Sequence, residues 1–207
     1  AENARRAGSF LADHTAPRCP VAFYLEKSAP VFAAMLGTVY AGCCYSVLDT
    51  RQPAARTQQV LSTLQPSLII TDRDHADAAA ALGCSCSVYL LEDLLTAAVQ
   101  PSLLAARRAQ AVDVDPLYIN FTSGSTGVPK GVTVSHRSVL DFIPQFAAIF
   151  GIKAQDILGN QAPFDFDVSV KDLYTALYTG AKVQIIPRAY FSQPTKLMDY
   201  LADHAVT

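Results

Sequence analysis

Charge is scarce in this chain: lysine, arginine, aspartate and glutamate together make up 16% of its 207 residues. So low a charge content excludes a self-repelling disordered polymer. Charge imbalance is also missing, with a formal net charge of −2, so no basic field is available to hold nucleic acid or an anionic membrane. No unbroken apolar run is long enough to span a bilayer. The opening Ala-Glu-Asn-Ala-Arg-Arg is not followed by the apolar block of a signal peptide. An initiator Met is lacking, and the chain stops at Ala-Val-Thr, where a further strand would begin. Both ends create the expectation that the chain is part of a longer protein. The five cysteines (Cys19, Cys43, Cys44, Cys84 and Cys86) are odd in number and have no CxxC spacing. That pattern excludes a disulfide framework and a zinc site. Reduced, mostly buried small residues in a cytoplasmic protein are expected instead. The vicinal Cys43–Cys44 pair has no partner beside it that would make a redox or metal site.

What is present is a large apolar fraction, 51% of residues, enough to bury a sizeable core in one large domain or two small ones. Short apolar runs of strand type fall at residues 21–25, 45–48, 67–71, 87–91, 117–121, 157–160 and 182–186. Helical patterns fall between them. Ser28 is placed to cap a helix, with Pro30 in its first turn. Residues 96–116 read as part helix and part connector, and Pro144 should kink or shorten the helix that follows Ser138. Strand–helix alternation means crossover units and a mainly parallel sheet covered on both faces. The fold class expected is α/β.

The strongest local signal is YINFTSGSTGVPKG, residues 118–131. A strand runs directly into Thr122, Ser123, Gly124, Ser125, Thr126 and Gly127. Small residues let the backbone curl so that N–H groups converge. Four hydroxyls add donors, and Lys130 supplies a cation within reach once Pro129 has restricted the turn. Converging donors with one cation suit a polyphosphate. The Walker spacing is absent: the position that should hold its second glycine is Pro129 counted from Gly124, and Val132 counted from Gly127. A flexible Gly/Ser linker is the alternative, but a linker is rarely preceded by a buried strand and followed by Pro-Lys-Gly-Val.

The block TSGSTGVPKGVTVSHRS resembles the signature of AMP-forming, adenylate-forming ligases. That superfamily includes acyl-CoA synthetases, luciferases and amino-acid adenylation domains. The resemblance implies that the loop, Thr122 to Gly127 with Lys130, holds the β- and γ-phosphates of ATP, with Mg²⁺ accompanying the nucleotide. It also implies two helix-covered, mainly parallel sheets, those of the family's large N-terminal domain in incomplete form. The first subdomain would cover residues 1–131 and the second would begin at 132, with a ligand in the crevice between them.

A second block, NQAPFDFDVSVKDLY at 160–174, narrows the class. Val170, Leu173, Tyr174, Leu177 and Tyr178 share one helical face. Ser169 is placed to cap that helix, with Asp172 three residues on. Asp167 then stands just before the helix. As local physics, a capping carboxylate and a counter-charge for a substrate ammonium explain it equally well. Phe166-Asp167-Val168-Ser169 resembles the motif of amino-acid adenylation domains whose Asp binds the α-amino group. The longer run is similar to D-alanine–carrier protein ligases. Upstream, YAGCCYSVLD at 40–49 resembles an earlier motif of the family, with Cys43, Cys44 and Ser46 replacing the commoner Gly, Ala and Pro.

The resemblance implies activation of an amino acid, D-alanine first, as aminoacyl-AMP and transfer to a phosphopantetheinyl carrier protein. A nonribosomal peptide synthetase domain for another amino acid and an acyl- or aryl-CoA synthetase are the alternatives within ligases. A nucleotide-binding or scaffold module is the alternative outside enzymes. The adenine- and ribose-binding residues, most of the amino-acid pocket and the family's C-terminal catalytic Lys have no counterpart in this chain, so by itself it is expected to be inactive. His136 reads as a capping or packing residue. His14, His75 and His204 read as surface, and Asp165 and Asp172 as solvated or capping. Phe164 and Phe166 read as core.

Overall fold

Short apolar runs, punctuated by turn and capping residues, become strands that alternate with helices. The computed structural model describes residues 1–122 and 128–207. In chain order the elements are α1 (Glu2–His14), β1 (Pro20–Tyr24), α2 (Ala29–Tyr40), β2 (Cys44–Leu48), α3 (Ala54–Leu64), β3 (Leu68–Thr71), α4 (Ala76–Ala81) and β4 (Ser87–Leu90). Then come α5 (Leu91–Thr96), α6 (Pro101–Gln110), β5 (Pro116–Thr122), β6 (Lys130–Ser135), α7 (His136–Phe150) and β7 (Ile157–Asn160). The chain closes with α8 (Val168–Thr179), β8 (Lys182–Ile185), a 3₁₀ turn (Arg188–Ser192) and α9 (Pro194–Asp203).

Two compact units are formed, Ala1–His136 and Arg137–Thr207. The first is built on a sheet in the order β4-β3-β1-β2-β5-β6. Its strands pair in parallel except at β5–β6, which is antiparallel. The interior strands β1 and β3 are mostly apolar, as suits buried parallel strands: every residue of β3 is buried, and so are four of the five in β1. Side chains alternate across the sheet. Ala22, Tyr24, Leu48 and Ile69 meet Val60, Leu61 and Leu64 of α3, Ala79 of α4 and Leu82 just after it. The opposite face takes Val21 and Phe23, both fully buried. The second unit holds the parallel β7–β8 pair with α7, α8 and α9. The class is α/β with a mainly parallel sheet. Among the described residues no helix is long and apolar enough to cross a membrane.

Local chemistry explains several boundaries. Ser28 Oγ accepts from the Val31 amide at 3.4 Å, with Pro30 in the first turn of α2. Arg107, near the end of α6, donates to the Ala12 carbonyl at 2.6 Å and also to that of Thr15, satisfying acceptors left over where α1 ends.

Residues 96–116 are part helix and part connector, as expected: Thr96 ends α5, α6 covers Pro101–Gln110, and β5 begins at Pro116. Two sequence expectations are corrected. Pro144 neither stops nor shortens α7, which runs through it to Phe150. Val139, Ile143 and Ala147 form the buried stripe of that helix, and Pro144 stands beside it. Their packing offsets the hydrogen bond that proline removes. Finally, residues 132–136, grouped with the second sheet on sequence, lie in β6 and at its end, inside the first unit.

Two loops of the first unit are tied by Arg18 and Asp115. Arg18 Nε donates to Asp115 Oδ1 at 2.6 Å, and the other oxygen of that carboxylate accepts from the Val112 amide at 3.0 Å. The hydrogen bond from Arg18 is the chief reason the Asp115 carboxyl lies below its ordinary 3.8. A carboxyl whose native pKa is depressed contributes stability above its unfolded value and loses it as pH falls through the native one. Asp115→Asn is therefore expected to lower the urea midpoint at pH 7. The gap from the unsubstituted protein should close as pH falls below about 3.8. Urea titrations of both proteins between pH 2 and 7 check this.

Candidate functional site

The antiparallel β5–β6 pair frames the proposed phosphate loop. Along it, Phe121 lies opposite Gly131 and Thr122 opposite Lys130. Directly opposed residues point to the same side of a sheet, with Cβ atoms about 4.5–5.5 Å apart. Thr122 and Lys130 therefore stand side by side where the loop leaves β5 and where it rejoins β6. Both are exposed. Thr122 also ends a strand that runs parallel to β2, so it lies at the carboxyl edge of the parallel strands, where open α/β sheets bind ligands. Gly131 keeps the pairing close: a Cβ there would stand 3.1 Å from Ile119 and 3.2 Å from the Phe121 ring. The expectations for Ser123, Gly124, Ser125, Thr126 and Gly127 lie outside the described residues.

A residue that sequence reasoning missed meets this frame. Arg56, in the first turn of α3, donates from Nη2 to the Thr122 carbonyl at 3.3 Å. The contact joins positions 66 apart in sequence, and no local periodicity points to it. Just upstream, Arg51 is engaged by Asp49 through contacts of 2.8 and 2.5 Å, while its backbone amide donates to the same carboxylate. At the far end of β6, His136 is the first residue of α7, and its amide donates to the Asp115 carbonyl at 3.1 Å. Burial lowers its imidazole pKa, so it is neutral at pH 7. This fits the packing role expected of it.

The second unit holds Asp167. It occupies the N-cap position of α8 with helical backbone angles, φ −58° and ψ −27°, is exposed, and makes no side-chain capping hydrogen bond. The expected arrangement, in which Ser169 caps and Asp172 completes a box, does not occur. Ser169 lies inside α8 and is buried, because the helix begins one residue before it, at Val168. Asp172 is buried as well, not solvated or capping: it accepts from Asn160 Nδ2 at 3.1 Å and from Lys171 Nζ at 2.7 Å. Asn160 is itself fully buried at the end of β7. The pair clamps α8 to β7 beneath the segment carrying Asp167, as a buried carboxylate requires when it must be paired. Lys171 also lies over the Phe146 ring, 5.9 Å from its centre. Phe164 is buried as expected, but Phe166 is 56% exposed and does not pack in a core.

Among the other histidines, His14 and His204 are exposed, whereas His75 is half-buried, with Nδ1 2.6 Å from Asp72 Oδ1 and its ring edge-on to Tyr24. Among the described residues no group of three or more His, Cys, Asp or Glu side chains could hold a metal ion.

The model of the family described as AMP-binding enzyme matches residues 1–207. Syringomycin synthase SyrB1 of Pseudomonas syringae pv. syringae is 34% identical over 192 residues, covering 90% of this chain and 30% of that protein. The D-alanine–D-alanyl carrier protein ligase of Staphylococcus haemolyticus is 28% identical over 192 residues, covering 89% of this chain and 36% of that one. Among solved structures, the nonribosomal peptide synthetase FmoA3 in its AMPPNP-bound form matches with a TM-score of 0.86 at 27% identity, over 100% of this chain and 21% of that one. The chain thus spans about a third of the two curated relatives. A family match along its entire length, on an α/β frame with the Thr-Ser-Gly-Ser-Thr-Gly segment set between β5 and β6, places this chain in the AMP-binding enzyme family.

Proposed function

We propose that the full-length protein uses ATP to activate an amino acid as its aminoacyl-adenylate and passes the acyl group to the phosphopantetheine thiol of a carrier protein. The observation that carries this reading is the pairing of Thr122 with Lys130, which anchors both ends of a loop rich in hydroxyls and glycines. In the reaction a carboxylate oxygen of the amino acid attacks the α-phosphorus of ATP, and pyrophosphate leaves. Thr122, Ser123, Gly124, Ser125, Thr126 and Gly127 supply the donors to the phosphates, and Lys130 neutralises the charge of the leaving pyrophosphate. Arg56 braces the Thr122 carbonyl and so positions the start of the loop. Mg²⁺ travels with the nucleotide, held mainly through its phosphates. Asp167, its carboxylate not engaged in capping α8, supplies the counter-charge for the substrate ammonium.

D-alanine is the substrate placed first, from the similarity of residues 160–174 to D-alanine–carrier protein ligases. The second reading is a nonribosomal peptide synthetase domain for another amino acid. It is favoured by the higher identity to SyrB1, 34% against 28% for the D-alanine ligase.

Amino-acid-dependent ATP–pyrophosphate exchange by the full-length protein, over a panel of D- and L-amino acids, separates the two. Asp167→Ala should reduce exchange with the preferred amino acid by roughly 10- to 100-fold, the value of a charge-assisted hydrogen bond. It should leave exchange with the matching amine-free acid unchanged. Equal activity of the variant with its amino acid would remove Asp167 from the site and favour an acyl-CoA synthetase instead.

A further inference from the structure

Two thiols outside the loop and the Asp167 segment are held together by the backbone. After α4 the chain passes Gly83 in a left-handed conformation, φ +69°, and bends at residues 85 and 86 before β4 starts at Ser87. The bend folds Cys84 back on Cys86, so that the two Sγ atoms stand 2.7 Å apart. Both side chains are half-buried against the cluster that contains Leu61 and Leu82. Cys84 also lines an open cavity of about 680 Å³ with Gln58, Leu61, Gln65 and Leu82. Cys86 is not among the lining residues. Cys84 thus faces the cavity, with Cys86 set directly against it.

We propose that Cys84 and Cys86 form a reversible dithiol site that takes a low-molecular-weight disulfide as its oxidant, with Cys84 attacking first and Cys86 resolving. In the first step the Cys84 thiolate attacks one sulfur of the external disulfide RSSR. The Cys84–S–R bond forms, the S–S bond of RSSR breaks, and RS⁻ leaves and takes up the proton lost from Cys84. In the second step Cys86, deprotonated, attacks Cys84 Sγ, the intramolecular S–S bond forms, and the second RS⁻ leaves and is protonated. The sum is protein dithiol plus RSSR giving protein disulfide plus two RSH, with two electrons passing from the protein to RSSR.

The order of attack follows from the place of Cys84 on the cavity wall, and the ionisation of Cys86 agrees with it. Burial first, and then the hydrogen bond with Cys84, raise the Cys86 thiol, which disfavours it as the initial nucleophile. Once Cys84 is tied up in the mixed disulfide, its share of that effect is gone and Cys86 becomes free to resolve. Closure spans only one intervening residue, a tight ring of the kind that gives labile, readily reduced disulfides. Cys43 and Cys44 serve as internal references. Both are buried, burial raises both thiols, and Cys44 reaches about 12.

The test treats the 207-residue chain with oxidised glutathione at pH 8, followed by intact-mass measurement, peptide mapping and thiol titration with Ellman's reagent. The expected product is lighter by two hydrogens, titrates two fewer thiols per chain, and carries its linkage in the peptide spanning Cys84 and Cys86. Dithiothreitol restores both thiols. Cys86→Ser should stop at the first step and carry one glutathione on Cys84. Cys84→Ser should acquire neither a disulfide nor an adduct at Cys86. Retention of both thiols in the unsubstituted chain, or an adduct on Cys86 in the Cys84→Ser variant, overturns the proposal. Circular dichroism on each variant confirms that it is folded before oxidation.

Discussion

Lys130→Ala in the full-length protein is expected to slow amino-acid-dependent ATP–pyrophosphate exchange by roughly 10²–10³-fold, the loss typical when one preorganised group facing developing charge is removed. Lys130 begins β6 directly opposite the last residue of β5, so its position is set by a strand and not by the loop it serves. The side chain is exposed, and replacing it should change stability by no more than about 0.5 kcal/mol. A loss of rate without a loss of fold is therefore the signature of a phosphate-binding charge. Lys130→Arg keeps the charge but changes its shape from a point to a fork, so it should recover only part of the rate. Thermal unfolding run beside the exchange assay separates the two effects. An Ala variant that exchanges as fast as the unsubstituted protein would show that the loop works without its cation, and the phosphate assignment would fall with it.

Gly37→Ala is expected to destabilise the first unit, although alanine is the better helix former by about 1 kcal/mol. Two opposed effects meet at this position, and their sizes decide the sign. A Cβ at Gly37 would stand 2.6 Å from Ala7 Cβ and 2.9 Å from the Gly8 backbone nitrogen. Neither neighbour is the end of a flexible side chain, so α1 and α2 must separate to admit the methyl group. Overpacking of this kind costs about 1–3 kcal/mol, and two rigid contacts at once place the cost at the upper end. The net loss should be about 2 kcal/mol after the helix-propensity gain. For a domain of this size that lowers Tm by roughly 4–8 °C. The partner position is Gly8, where an added Cβ would lie 2.6 Å from Tyr40 Cβ and 3.1 Å from the Gly37 carbonyl. Gly8→Ala wedges the same interface from the other side. The double variant should therefore lose less than the sum of the singles, because one separation of the helices relieves both clashes. Differential scanning calorimetry of the three variants measures this. A stabilised Gly37→Ala would mean that the helices do not approach as closely as the structure places them.

Much of the first sheet was legible because its code is local. Val21 to Tyr24 and Leu68 to Thr71 are short, apolar and bounded by turn residues, and they are strands β1 and β3. Ser28 with Pro30 starts α2 where capping chemistry puts it. The second sheet was harder to read. Ser169 looks like a cap by residue type, yet α8 starts before it, because Asn160 and Asp172 hold the helix to β7 through a buried hydrogen bond between residues 12 positions apart. β6 went unread although Val132 and Val134 alternate with Thr133 and Ser135, because the run is short and follows directly on the Pro129-Lys130-Gly131 turn residues. It is an edge strand, so one flank needs no cover, and its pairing comes from β5.

By itself the sequence determined the α/β class, the alternation of strand and helix, and a segment of hydroxyls and glycines leading to Lys130. Those features depend on periodicity and on residues within a few positions of one another, so they survive without knowledge of the rest of the chain. Only the tertiary structure decided that Lys130 stands across from Thr122, that Arg56 reaches the Thr122 carbonyl from α3, and that the Cys86 thiol lies against that of Cys84. Such contacts form when packing brings distant backbone segments together or bends a turn onto itself, and the residues that meet carry no local mark of their partners.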